Sequence, residues 1–80
     1  NISRIISLGT NGVLVEFAAV LGASYTVFYS DNMSFSNAMV AQPAIVAPGS
    51  RVQWIDNGPP KTVSHPNTNT MRFYRIQRNQ

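Results

Sequence analysis

Cysteine is absent from this 80-residue chain, and charge is scarce: charged residues make up 11% of it, with three acids and one histidine. Without cysteine there is no disulfide framework, no thiolate zinc site and no thiol nucleophile. No stretch approaches the roughly 18 consecutive apolar residues of a membrane helix, so no membrane span is expected. Phosphate-cradling glycine loops are missing. Asp31-Asn32 and Asp56-Asn57 offer oxygen ligands, but neither has the spacing of a calcium loop. No metal and no cofactor is expected.

What is present is apolar material. Hydrophobic residues make up 44% of the chain, too many for a disordered tail. The length allows one domain over residues 1–80. The net charge of +3 comes from Arg4, Arg51, Lys61, Arg72, Arg75 and Arg78 against Glu16, Asp31 and Asp56. Only Arg72, Arg75 and Arg78 cluster. Nucleic-acid binding needs a basic stripe, so these arginines read as solubilising a terminal strand and no nucleic-acid partner is expected. The chain starts at Asn1. A cleaved secretory signal is the commoner cause of such a start, and the Ser, Thr and Asn content agrees with a secreted, extracellular or cell-surface location.

Hydrophobic alternation predicts six or seven short strands and no helix of any length. Residues 2–8 read as a strand with Ile2, Ile6 and Leu8 on one face. Gly9-Thr10-Asn11-Gly12 reads as a turn, Asn-Gly supplying positive φ cheaply. Residues 13–17 place Val13, Val15 and Phe17 on one face and Glu16 on the other. Residues 25–30 alternate most clearly, Tyr25, Val27 and Tyr29 against Thr26, Phe28 and Ser30. A weaker strand covers 37–41, and Ile45 and Val46 extend it past Pro43. Residues 51–55 turn Val52 and Trp54 inward. The Pro-, Thr-, Asn- and Ser-rich stretch up to Thr70 is predicted to be a long loop. Residues 71–77 form the last strand, Tyr74 and Ile76 on one face, Phe73 and Arg75 on the other. The predicted fold is all-β, a small antiparallel β-sandwich.

Chemistry finds little support in this sequence. His65 precedes Pro66 in the long loop, with no carboxylate near it in the chain. Nucleophilic catalysis needs a base oriented by a third group, so His65 reads as an exposed loop residue. Glu16 is mid-strand and outward, and Asp31 and Asp56 belong to separate loops, so no carboxylate pair is evident. The chain is expected not to be an enzyme. Trp54, Tyr25, Tyr29 and Tyr74 read as core, leaving Phe28, Phe35 and Phe73 for a sugar platform. Phenylalanine lacks the polar handle of Tyr and Trp, so a cell-surface glycan ranks as a secondary partner. Asn1-Ile2-Ser3 and Asn32-Met33-Ser34 match the N-glycosylation triplet. Thr62, Ser64, Thr68 and Thr70 offer hydroxyls for O-linked sugar.

Three runs carry a family resemblance: Gly22-x-x-Tyr25-x-Val27-x-Tyr29-Ser30-Asp31, Val52-x-Trp54-x-Asp56-x-Gly58-Pro59-Pro60, and Arg72-Phe73-Tyr74-Arg75-Ile76. Together they resemble a fibronectin type III-like (immunoglobulin-like) repeat of secreted and surface bacterial proteins. The resemblance implies a β-sandwich serving as spacer, adhesion or assembly module, and brings no catalytic residues. It also implies seven strands, of which residues 2–8, 13–17, 25–30, 37–41, 51–55 and 71–77 supply six. The seventh would flank 71–77, whose free side then invites strand addition from another chain. Phe28 and Phe73 are expected outward on neighbouring strands, with Ile5, Leu14 and Ile55 outward elsewhere.

These readings converge on a non-enzymatic extracellular structural subunit. It is expected to self-assemble with copies of itself into a filament or surface polymer. The expected interface residues are Ile2, Ile5, Phe28, Phe73, Arg75 and Gln77. The alternative is a terminal spacer, adhesion or carbohydrate-binding module of a larger secreted surface protein.

Overall fold

In the computed structural model, which describes residues 2–68 and 71–79, the chain forms an all-β antiparallel sandwich. Its strands are β1 (Ile2–Ser7), β2 (Val13–Ala18), β3 (Ser24–Ser30), β4 (Met39–Val40), β5 (Ile45–Val46), β6 (Arg51–Asp56) and β7 (Phe73–Arg78). One sheet has the order β1-β2-β6. In the other, β3 is central, with β4 and β5 pairing one of its sides and β7 the other. Among the described residues no helix is long and apolar enough to cross a membrane.

Alternation explains which residues meet between the sheets. Val15 and Phe17 of β2, Val52 and Trp54 of β6, Tyr25, Val27 and Tyr29 of β3, and Tyr74 of β7 are buried together with Ala41 and Ala47. Two aromatic pairs cross from sheet to sheet. Phe17 meets Tyr25 edge to face at 5.4 Å, and Trp54 meets Tyr74 likewise at 6.1 Å. Such pairs contribute about 0.5–1.5 kcal/mol each beyond the area they bury. The buried tyrosines keep their hydroxyls satisfied at the rim: Val20 N–H donates to Tyr25 and Val63 N–H to Tyr29.

Several local expectations need correction. Register shifts between Ile2 and Arg4, and Ile5 then stands across from Val15 while Ile6 stands across from Leu14. Directly paired residues share a face, so this irregularity puts Ile5 on the Val15 side. Ile6, rather than Ile5, joins Leu14 and Ile55 across the outer face. Ile5 is still 51% exposed, on a strand at the sheet edge. Ile2 packs against the core. The 37–41 strand shrinks to Met39–Val40, and Pro43, which has no N–H to donate, separates it from Ile45–Val46. The first turn is a short 3₁₀ segment, Gly9–Asn11, with the positive φ carried by Gly9 and Gly12. Gly12 is obligatory: a Cβ there would lie 2.1 Å from the Asp56 carbonyl oxygen. The segment after β6 is a strap held against the core, with Thr62 and Pro66 buried.

Candidate functional site

β7 is paired on one side only among the described residues. Six consecutive residues, Phe73 to Arg78, face Ser30 to Tyr25 of β3 without a register shift. The Asn79 N–H donates to the Ser24 carbonyl at 2.8 Å, which sets the phase of the ladder. Backbone groups alternate sides along a strand. Phe73, Arg75 and Gln77 therefore direct their N–H and C=O to β3, and Tyr74, Ile76 and Arg78 direct theirs to the free side. This is a row of donors and acceptors that β-strand addition uses.

The N-terminal end of this strand is anchored by a buried charge network. β6 alternates Val52, Trp54, Asp56 inward, so an acid occupies the third core position. The Asp56 carboxylate is fully buried. It accepts from Thr62 Oγ1 at 2.6 Å, Gly58 N–H at 3.1 Å, Tyr74 Oη at 2.6 Å and the Arg72 guanidinium at 3.1 Å. Arg72, with 2% of its side chain exposed, also donates to the Ser64 carbonyl at 2.8 Å and Ser64 Oγ at 2.7 Å. Its guanidinium lies 4.9 Å from the Tyr29 ring centre. Burial pushes the Asp56 carboxyl up, but the bonds from Thr62, Tyr74, Gly58 and Arg72 outweigh it and hold the group below its ordinary value. Burial, then the hydrogen bond and charge of Asp56, push Tyr74 well above the usual phenol range. Gly58 completes the turn at φ 87°, where a Cβ would lie 3.1 Å from the His65 backbone.

Of the expected interface residues, Arg75 and Gln77 are exposed on β7 and Ile5 is exposed on β1, while Ile2 packs on the core. Phe28 and Phe73 share the outer face, but register separates their partners: Phe28 stands across from Arg75 and Phe73 across from Ser30. No ring contact joins them among the described residues. Arg75 instead covers Phe28 at 5.1 Å and Phe35 at 5.2 Å, and both rings are half-buried. Phe35 holds this place with φ at 56°, a region a bulky residue rarely adopts.

The modification candidates scatter. Asn1 and Thr70 lie outside the described residues. Asn32 folds back into its own loop, its Oδ1 accepting from Ser34 Oγ at 2.7 Å and Ser36 N–H at 3.4 Å. Thr62 is corrected: it is 4% exposed and its hydroxyl is committed to Asp56, so the fold leaves no room for a sugar there. Ser64 Oγ accepts from Arg72, while Thr68 is exposed and donates to the His65 carbonyl at 2.7 Å. His65 Nδ1 accepts from Asn67 N–H at 3.2 Å.

Of the carboxylates, Asp31 and Asp56 flank the same Arg72 guanidinium, at 3.6 Å and 3.1 Å, and Glu16 is apart from both. Glu16 stays on the outer face of its sheet, covered by Arg4 at 2.9 Å, Gln53 at 3.2 Å and Arg51 at 3.7 Å. Asp56 ends β6 in the core rather than belonging to a loop, which corrects the sequence reading. Its alternation with Val52 and Trp54 was the available signal. Among the described residues no group of three His, Cys, Asp or Glu side chains can hold a metal ion. Against this geometry, no family model, no curated protein and no solved structure matches the chain.

Proposed function

We propose that this chain is a non-enzymatic structural module, secreted or on the cell surface, that assembles by β-strand addition at the free side of β7. The observation that carries it is the row of backbone groups at Tyr74, Ile76 and Arg78 that has no strand partner among the described residues. Two further features support it. With strand order β1-β2-β6 against β7-β3-β4/β5, the place beside β7, where the last strand of a fibronectin type III-like sandwich would pair, has no strand among the described residues. β1 is an edge strand too, carrying exposed Ile5 beside β2. Pairing β7 of one copy with β1 of the next is a head-to-tail contact, which builds a filament when its rotation does not close into a ring.

Sedimentation velocity of the purified chain at micromolar to millimolar concentration tests the reading. The expected result is mass that grows with concentration and falls when Arg78→Pro removes an outward N–H. A single monomer boundary throughout overturns it. Fractionation of the source cells, with the chain recovered outside the cytoplasm, tests the location.

A further inference from the structure

A cleft of about 210 Å³ opens where β3 ends, between the loop into β4 and the strap before β7. Asp31, Asn32, Asn37, Met39, Val63 and the buried Arg72 line it. Two nitrogens of Arg72 are engaged by Asp56 and Ser64. The third is different. Arg72 Nε is buried, makes no hydrogen bond among the described residues, and lies 3.6 Å from Asp31 Oδ1, beyond good hydrogen-bonding distance.

A donor and an acceptor so placed are bridged by a group that accepts from one and donates to the other. A neutral hydroxyl does both. A sulfate or carboxylate only accepts, and an ammonium only donates. Local charge points the same way, because the single guanidinium stands between two carboxylates, Asp56 at 3.1 Å and Asp31 at 3.6 Å. That balance repels an anion. The Asn37 amide adds a donor and an acceptor, and exposed Met39 and Val63 add apolar surface for ring C–H groups. The volume is below the roughly 300 Å³ at which pockets for drug-sized ligands begin, and suits a single ring.

We propose that this cleft binds a neutral polyhydroxylated ring, of the kind that ends a glycan, with one ring hydroxyl bridging Arg72 Nε and Asp31 Oδ1. The Asp31 side chain is 66% exposed. This site is separate from the free side of β7, and its test does not depend on assembly.

The experiment is a titration of ¹⁵N-labelled chain with neutral hexoses and N-acetylhexosamines, each as free sugar and as soluble oligosaccharide. Glucuronate and glycerol are the controls. The Arg72 Nε–H signal and the amides of residues 31–39 are followed. At least one neutral sugar is expected to give saturable shifts, with glucuronate about tenfold weaker or worse. Asp31→Ala and Asn37→Ala are each expected to weaken binding by about fivefold or more, in chains whose spectra stay folded. Tighter binding of oligosaccharide identifies a glycan chain as the source of the ring, and equal binding identifies a free sugar; both support the site. Absence of saturable shifts, equal response to glycerol or glucuronate, or unchanged binding in both variants overturns it.

Discussion

One edge of the four-stranded sheet is made of β4 and β5, two residues each, and the other is β7, six residues without interruption. The first edge is broken by Pro43 and drawn inward: Ala41 N–H donates to the Val27 carbonyl and Ala47 N–H to the Ala23 carbonyl, and both alanines are buried. Little backbone is left there for another strand to read. The second edge is continuous, guarded by charge at Arg75 and Arg78. It is also fixed at its start, because Arg72 and Tyr74 both bind Asp56 at the end of β6. A firm strand with one free side is a better template for pairing than a frayed one, since less order has to be gained on contact.

Removing the anchor should break this contrast most. Asp56→Ala leaves Arg72 buried without its main counter-charge and Tyr74 without its acceptor. The expected loss is about 3–5 kcal/mol, a large part of the ~4–12 kcal/mol total for a chain of this length. Denaturant unfolding measures it, and hydrogen exchange should show β7 amides opening ahead of β3.

Acid should act on the same bond. The Asp56 carboxyl is held below its ordinary 3.8 in the folded chain. Its contribution is therefore present above that pH and is lost as pH falls through the lowered folded value. The stability difference between the parent chain and Asp56→Asn should narrow as pH drops below 3.8. Tyr74 works at the other end, since a raised phenol contributes below its ordinary 10.0 and loses that contribution as pH rises past it.

Proline placement separates the two sides of β7. Gln77→Pro deletes an N–H directed to β3 and should cost about 1–3 kcal/mol. Arg78→Pro deletes an N–H on the free side, should cost less than about 1 kcal/mol, and should still reduce association. Equal thermal shifts for the two would show that the ladder phase is wrong. A similarly small effect is expected from Arg75→Ala. Losing its contacts with Phe28 and Phe35 should cost about 1 kcal/mol, while removing a guarding charge raises association at low salt.

Much of the fold was legible because the period of two is local. Tyr25-Val27-Tyr29, Val15-Phe17 and Val52-Trp54 each announced a buried face, and all three runs pack together. Ile5 misled because a register shift beside Arg4 resets the alternation of β1, and nothing in Ile2-Ser3-Arg4-Ile5 marks a bulge. Thr62 read as a loop hydroxyl and is a core hydrogen-bond donor. Of the candidate sites, the sequence pointed to strand addition along residues 71–77, and among the described residues β7 pairs with β3 alone; the cleft at Arg72 had no counterpart in the sequence reading. Its walls come from residues 31–39, 63 and 72, which no spacing rule connects.

By itself, the order of residues determined the all-β class and the inward faces of β2, β3, β6 and β7, since each depends on side chains two apart along one backbone. Only the tertiary structure decided that Asp56, Thr62, Ser64, Arg72 and Tyr74 share one buried network, and that among the described residues β7 pairs with β3 alone. Both depend on which segments come to lie side by side. That is settled by the burial of a charge that must find partners and by the direction of backbone N–H groups across a sheet, quantities defined between segments rather than within them.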